Sequence, residues 1–329
     1  MLHILHGLSV LEGEYGMDNN AEEAIQKLLK NKKLNFQLGD SNDFTTNRIP
    51  FDIPALDKLT GGGIPFKKMT LIYGPTNVGK SYLASQIVAN AQKMGGKAVW
   101  VDTELSYDKD WMTRCGVDSK KILVSQPTTG EEAMEHIREA MMASFEVIVL
   151  DSIAGLVPSN VSVEDFGYNP MAWQARFVNS SFPKIFPHLQ NGSAFVAINQ
   201  VRASMGPVAL DNMPAGQGQV FFAHSIMQVQ RKGWIEEKEQ KVGFNMNIRL
   251  RKTKTGGENW DSAIVPFRVA GGIDVLESFI RDGIEAKLIT QAGAWYTYGD
   301  VKAMGMNGLK TKFVETEGLF EKLKDELTS

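Results

Sequence analysis

An α/β fold with a mostly parallel sheet follows from three features of the sequence. Short apolar runs recur without interruption: MTLIY (69–73), AVWVD (98–102), ILVS (122–125), VIVL (147–150) and AFVAI (194–198). Runs that are apolar on both faces belong to strands covered by helices on each side. Between them lie stretches of helical spacing at 80–93 and 131–143, the second setting Ala133, Met134, Ile137, Ala140 and Met141 on one face. Finally, 329 residues, 43% hydrophobic and 22% charged, suffice for two domains or one large α/β domain with appendages. The expected division is an N-terminal arm at 1–45, a core at 46–271 and a small α+β domain at 272–329.

In the arm, AEEAIQKLLK (21–30) places Ala24, Ile25, Leu28 and Leu29 in one stripe with charges opposite. Such a stripe docks on its own domain or on a neighbouring subunit. Two long segments, 158–170 and 201–219, interrupt the core with almost no periodic apolar signal. Loops of that length in a compact domain are functional or disordered. Pro183 and Pro187 fall in the helix expected after the first, and each is expected to break or kink it. Beyond Phe221, SIMQVQ, FNMNIRLRKTK and DSAIVPFRV read as strands that extend the sheet.

Composition narrows the function. A net charge of −3 excludes a globally basic nucleic-acid binder but not a local basic face. Residues 231–254 hold eight basic and three acidic side chains, a local +5. One cysteine, Cys115, excludes an internal disulfide framework and a cysteine zinc site. His3, His6, His136, His188 and His224 lack metal-ligand spacing, and His136 reads as a surface or packing residue. No apolar run reaches the ~18 residues of a membrane span, and the N-terminus lacks the basic start of a secretory signal.

Gly74-Pro75-Thr76-Asn77-Val78-Gly79-Lys80-Ser81 fits G-x-x-x-x-G-K-[ST], directly after a predicted strand and opening a predicted helix, and these residues with Tyr82 are the expected nucleotide-binding segment. The glycines let successive N–H groups turn inward, and the helix N-terminus adds its positive end. Lys80 is placed to reach the β- and γ-phosphates, and the Ser81 hydroxyl to ligate Mg²⁺. Asp151, closing VIVLD, is assigned to the metal. Glu104, with Asp102 as the competing carboxylate, is a candidate to orient the attacking water. Gln200, after AFVAI, is placed to sense the γ-phosphate.

Together with VDTELSYDKDW, LVSQPTTGEEAM, VIVLDSIAGLVP, FVAINQVR and AGAWYTYGD, these residues resemble the RecA family of homologous-recombination ATPases, phage-encoded recombinases included. The similarity runs over about 50–327. It implies a RecA-like core that forms helical filaments on single-stranded DNA, binds ATP and Mg²⁺ between subunits, and exchanges strands with duplex DNA. Glu104 then takes the position of the catalytic glutamate, and Asp108 and Trp111 contact the adenine. Lys252 and Lys254 clamp ATP held by the adjacent protomer. Segments 158–170 and 201–219 become DNA-binding loops 1 and 2, with Arg176, Arg202, Met205, Gly216 and Gly218 at the DNA. Arg231, Lys232 and Arg249 form a secondary DNA site, and Phe222 packs on the neighbouring subunit. Strand alternation is expected to put Lys252 and Lys254 on one face and Arg249 and Arg251 on the other. Accessory single-strand-binding and mediator proteins, and a cytoplasmic setting (the host's for a phage protein), go with this resemblance.

Two departures stand out. Loop 2 carries only Arg202 and Asp211 as charges, and Pro183 replaces an expected basic residue. The rivals are a ring-forming motor with the same core, a regulatory paralogue, and a small-molecule kinase. AGAWYTYGD argues against the motor, the intact Glu104 and lysine pair against the paralogue, and loops without acceptor chemistry against the kinase.

Overall fold

The computed structural model describes residues 19–34, 36–159, 170–201, 216–258 and 261–328. The chain divides into two compact units, Met1–Thr46 and Asn47–Ser329. The first contains α1 (Asn19–Lys30), whose Ile25 and Leu28 remain exposed.

The second unit opens with β1 (Arg48–Ile49), α2 (Pro54–Thr60) and β2 (Ile64–Pro65). The parallel core follows as β3 (Met69–Gly74), α3 (Lys80–Lys93), β4 (Ala98–Asp102), α4 (Lys109–Arg114), β5 (Ile122–Ser125), α5 (Gly130–Met142) and β6 (Val147–Asp151). Next come α6 (Pro170–Ile185), β7 (Ala194–Gln200), α7 (Gly218–Phe222), β8 (Ser225–Glu237), β9 (Gln240–Thr253), β10 (Ser262–Arg268) and β11 (Gly272–Ile273). The sheet order is β11-β10-β9-β8-β3-β7-β6-β4-β5. Strands β8, β3, β7, β6, β4 and β5 are mutually parallel, and β9 to β11 extend the sheet antiparallel. The apolar runs read from the sequence are the buried strands, and β3 is buried at all six positions.

Two apolar cores form, one on each face. Ile72, Val149 and Ile198 face one, with α3. Leu71, Leu150 and Ala197 face the other, with α5 and α6. Each large aliphatic side chain removed from water contributes roughly 1.5–3 kcal/mol, which fixes strand register and hence the sheet edge.

Pro183 does not break its helix. α6 continues to Ile185, losing only the bond Pro183 cannot donate to the Asn179 carbonyl. Pro187 lies in the first turn of a 3₁₀ segment, Phe186–Asn191, where a missing N–H goes unused.

The last segment has its own apolar core, including Phe279, Ile280, Leu309, Phe313 and Leu323. It is built from α8 (Val275–Glu285), the sheet of β12 (Thr290–Ala292), β13 (Trp295–Tyr298) and β14 (Val301–Met304), then α9 (Gly305–Glu315) and α10 (Leu319–Thr328). Buried Glu277 on α8 joins it to β10, accepting from Arg268 at 2.8 Å and from Arg281 at 2.5 Å. No helix among the described residues is long and apolar enough to cross a membrane.

Candidate nucleotide site and strand-facing surface

The pairing places Gly74 beside Gln200 and Asp102 beside Asp151. All four close parallel strands at one edge, where an α/β sheet opens to ligands. Here β3 turns through the glycine-rich loop into α3. Asn77 (φ 56°) and Gly79 (φ 90°) adopt left-handed backbone there. Thr76 and Asn77 are exposed. Val78 is buried against the core and offers only its main chain.

The loop glycines also have packing reasons. A Cβ on Gly74 meets the Val229 carbonyl oxygen at 2.2 Å, and one on Gly79 meets Met246 Cε at 2.3 Å. The loop therefore rests directly on β8 and β9.

Lys80 is buried and its Nζ donates to the Pro75 carbonyl at 2.6 Å. Burial lowers its pKa, against the opposing pull of Asp151 and Glu104. Burial also raises Asp151 to about 6, with repulsion from Glu104 and Asp102 adding and the Ser81 hydroxyl and Lys80 opposing. A cation beside Asp151 would relieve that cost.

Asp102 and Glu104 separate into different roles. Asp102 is fully buried and accepts from Tyr107 N at 2.9 Å, Gln126 Nε2 at 3.1 Å and Glu104 N at 3.2 Å, so it shapes the turn. Glu104 is exposed at the edge. Its Oε1 accepts from Gln200 Nε2 at 2.5 Å and from the Ser152 hydroxyl. Ser152 is held by Thr103, whose Oγ1 donates to the Ser152 carbonyl at 2.7 Å and accepts from its N–H at 2.9 Å. Ser152 and Thr103 escaped the sequence reading, although each adjoins a residue it singled out.

Asn199, next to Gln200, reaches the other way. It is fully buried and donates to Gln219 Oε1 at 2.7 Å, while Gln219 donates to the Gly216 carbonyl at 3.1 Å. The dipeptide thus touches Glu104 with one side chain and the end of segment 201–219 with the other. Gly216 and Gly218 are pressed on α6: a Cβ on each meets Ala175 Cβ at 2.9 Å and Asn179 Oδ1 at 1.8 Å. Their glycine requirement comes from that approach. Arg202 and Met205 lie outside the described residues, as do 160–169 and 202–215 of the two loops. Arg176 is exposed on α6, 5.7 Å over the Trp173 ring.

Asp108 caps α4, accepting from Trp111 N at 2.6 Å. Trp111 lies 6.3 Å from Tyr82. The Tyr82 ring is buried against Phe267 and closely approached by Gly272, and burial raises its hydroxyl to about 12. Only its main chain is left for a ligand.

The simple alternation expected of IRLRKTK does not hold. Met227 pairs with Leu250 and Ile226 with Lys252, so Arg251 is an extra, bulged residue. The bulge reverses the facing of everything after it. Lys252 consequently shares a face with Arg249, which pairs with Gln228 two residues from Ile226. Lys252 Nζ donates to the Val220 carbonyl at 2.5 Å, and burial and Lys254 lower its pKa. Lys254 sits 5.8 Å over the Phe221 ring. Neither lysine contacts the glycine-rich loop of its own chain. The strand end is pinned by Arg48, which donates to the Thr60, Gly63 and Thr255 carbonyls.

Phe222 is packed within its own subunit against Phe182 and Phe186, at 5.8 and 4.9 Å. The aromatic ring left outside is Phe221, 71% exposed. Arg231, Lys232 and Arg249 are exposed on the β8–β9 ribbon.

The family model for the RecA N-terminal domain matches residues 19–272. This chain belongs to the RecA family. It is 30% identical over 333 residues to Protein RecA of Rhodopirellula baltica, covering 97% of this chain and 86% of that one. Protein RecA of Acidothermus cellulolyticus is 32% identical over 305 residues, 88% and 86% of the two chains. For Protein RecA of Aquifex aeolicus the values are 33% over 270 residues, 80% and 77%. As a member of the RecA family the chain is a DNA recombinase with a role in repair and a DNA-dependent ATPase. RecA proteins act on DNA, as oligomers, with nucleotide-dependent activity.

Proposed function

We propose that this RecA-family chain binds ATP with Mg²⁺ between subunits of a helical filament on single-stranded DNA, and couples hydrolysis to strand exchange with a homologous duplex. The observation that carries the reading is the contact of Gln200 with Glu104 at 2.5 Å, beside the loop that holds Lys80. It links a water-orienting carboxylate to the strand that leads into the second DNA-binding loop.

The residues present fit the nucleotide and metal. Left-handed Asn77 and Gly79 give the loop the kind of backbone that cradles phosphate, and a hydroxyl and a carboxylate, Ser81 and Asp151, meet beside it. Such an oxygen pair suits Mg²⁺, which keeps waters and phosphate oxygens in its remaining positions. When bound, Mg²⁺·ATP supplies the phosphoryl group to be transferred, with its charge partly neutralised. Lys80 leaves the Pro75 carbonyl for the phosphates. Asp108 and Trp111 flank the base. Glu104 orients the attacking water and accepts its proton. Gln200 reports the γ-phosphate to loop 2 through its neighbour Asn199.

Lys252 and Lys254 serve the nucleotide of an adjoining subunit, in keeping with their distance from their own loop. Exposed Phe221, rather than Phe222, meets that neighbour. Residues 1–45 act as an assembly arm, 46–271 as the ATPase core and 272–329 as an appended domain. Arg176 with loops 1 and 2 faces the first strand. Arg231, Lys232 and Arg249 face a second.

The test is ATP hydrolysis with and without single-stranded DNA, with negative-stain images of the ATP-analogue complex. DNA-stimulated turnover and helical filaments are expected, both lost in Lys80→Ala. Turnover indifferent to DNA, with rings or monomers in the images, would overturn the filament reading.

A further inference from the structure

The β8–β9 ribbon carries a large aromatic side chain where a soluble hairpin ordinarily carries polar ones. Trp234 is 43% exposed. Two cations lie over its ring, the Arg231 guanidinium at 4.2 Å and the Lys241 ammonium at 4.8 Å from the ring centre. The register accounts for this grouping. A bulge between Arg231 and Trp234 and another between Ile235 and Glu236 bend the ribbon, bringing Arg231 and Lys241 to the same ring.

Glu236, Glu237 and Glu239 share the ribbon, yet none forms an ion pair with these cations. Among the described residues no carboxylate lies within 4.0 Å of Arg231, Lys232 or Lys241. Glu237 is engaged by Arg268 at 2.8 Å, and Glu236, directly across from Lys241 in the register, makes no ion pair with it. Two like charges held on one ring repel each other, and an exposed cation–π contact returns only about 0.5–1 kcal/mol. An arriving polyanion satisfies both.

The ring is also held from below. Its edge meets Phe244 at 6.3 Å and 90°, and Phe244 stacks on Phe267 at 4.9 Å. Phe267 in turn meets Tyr82 at 5.1 Å. Trp234 therefore stands on a buried aromatic column, with little rotamer freedom to lose on binding.

The geometry points to Trp234, with Arg231 and Lys241, as a binding site for an unpaired nucleic-acid strand, the cations taking phosphates and the indole taking a base. This rests on the DNA-binding function above and adds Trp234 and Lys241 to it. As either cation moves from the ring to a phosphate, it uncovers ring surface for the adjacent base. Aromatic rings among cations hold single strands by stacking, whatever the sequence. In a duplex the base faces are already stacked, so the site favours unpaired strands.

The experiment first fills the loop 1 and loop 2 site of the full-length protein with an unlabelled oligonucleotide and an ATP analogue, then measures fluorescence anisotropy of a labelled oligonucleotide of unrelated mixed sequence, single-stranded or annealed to its complement. Trp234→Ala is expected to weaken single-strand binding about 5- to 100-fold and duplex binding less than about twofold. Trp234→Phe should retain most of the affinity. Lys241→Ala should lower the salt slope of binding by about one. Melting curves check that Trp234→Ala is folded; if it is not, Trp234→Phe and Lys241→Ala still decide. Wild-type affinity in a folded Trp234→Ala, or equal losses for single strand and duplex, would refute the stacking site while leaving the recombinase intact. Wild-type protein that binds neither DNA would overturn both.

Discussion

Among single residues, Glu104 offers the sharpest separation of binding from chemistry. Its Oε1 is engaged by Gln200 and Ser152, while Lys80 and Asp151 are the residues proposed to take the phosphate side. Glu104→Gln should keep nucleotide affinity and lose at least about 100-fold in turnover, since a positioned base contributes that much. Rapid-quench single-turnover assays beside equilibrium nucleotide binding check it; undiminished turnover would remove Glu104 from the mechanism. His224 gives a second residue-scale prediction. Burial, with Lys68, Lys254 and Lys252 nearby, lowers its pKa from 6.5 to about 4. Between those values the unfolded chain binds more protons than the native one, so His224's contribution to stability falls as pH drops from about 6.5 to about 4. Below about 4 that contribution changes no further. Melting temperatures across this range should fall less steeply for His224→Gln than for wild type.

At the level of elements, the glycine-rich loop was legible because its signal is contiguous: a buried strand, glycines at fixed offsets, then a helix. The strand-end residues Asp151 and Gln200 were legible because the apolar runs end on them. What the sequence hid is cross-strand. A single extra residue at Arg251 moved Lys252 onto the face of Arg249, and nothing in IRLRKTK distinguishes a bulge from a regular strand. Asn199 and Gln219 are 20 residues apart yet share a hydrogen bond, and Phe221 and Phe222 are identical side chains told apart only by packing. The glycines make a related point about β3. Gly74→Ala forces a Cβ to 2.2 Å from a main-chain oxygen of β8, whereas Gly95, left-handed at φ 92°, faces open space. Urea unfolding should show Gly95→Ala costing about 1–2 kcal/mol. Gly74→Ala should cost more than about 2 kcal/mol, because two paired strands must part. Equal losses would mean that β8 yields freely.

For the whole molecule, assembly hangs on surfaces that a single chain leaves uncovered. Phe221 is the one proposed above; Leu123 and Val124 on the outermost strand β5 are also uncovered, 60% and 40% exposed. Phe221→Ala should preserve the melting temperature and abolish filaments seen by light scattering with an ATP analogue. Phe222→Ala, which removes a half-buried ring from an aromatic cluster, should lower stability by about 1.5–3 kcal/mol. The opposite pattern would assign the interface to Phe222 after all. The aromatic column also has an optical consequence. Trp111 stands at the end proposed to meet the nucleotide and Trp234 at the ribbon end, with Tyr82, Phe267 and Phe244 between them. Two of the recombinase's six tryptophans thus stand in distinct electrostatic surroundings, one beside Arg114 and one beneath Arg231 and Lys241. Retaining either indole alone would let emission colour time the arrival of nucleotide and of strand separately, with no dye attached.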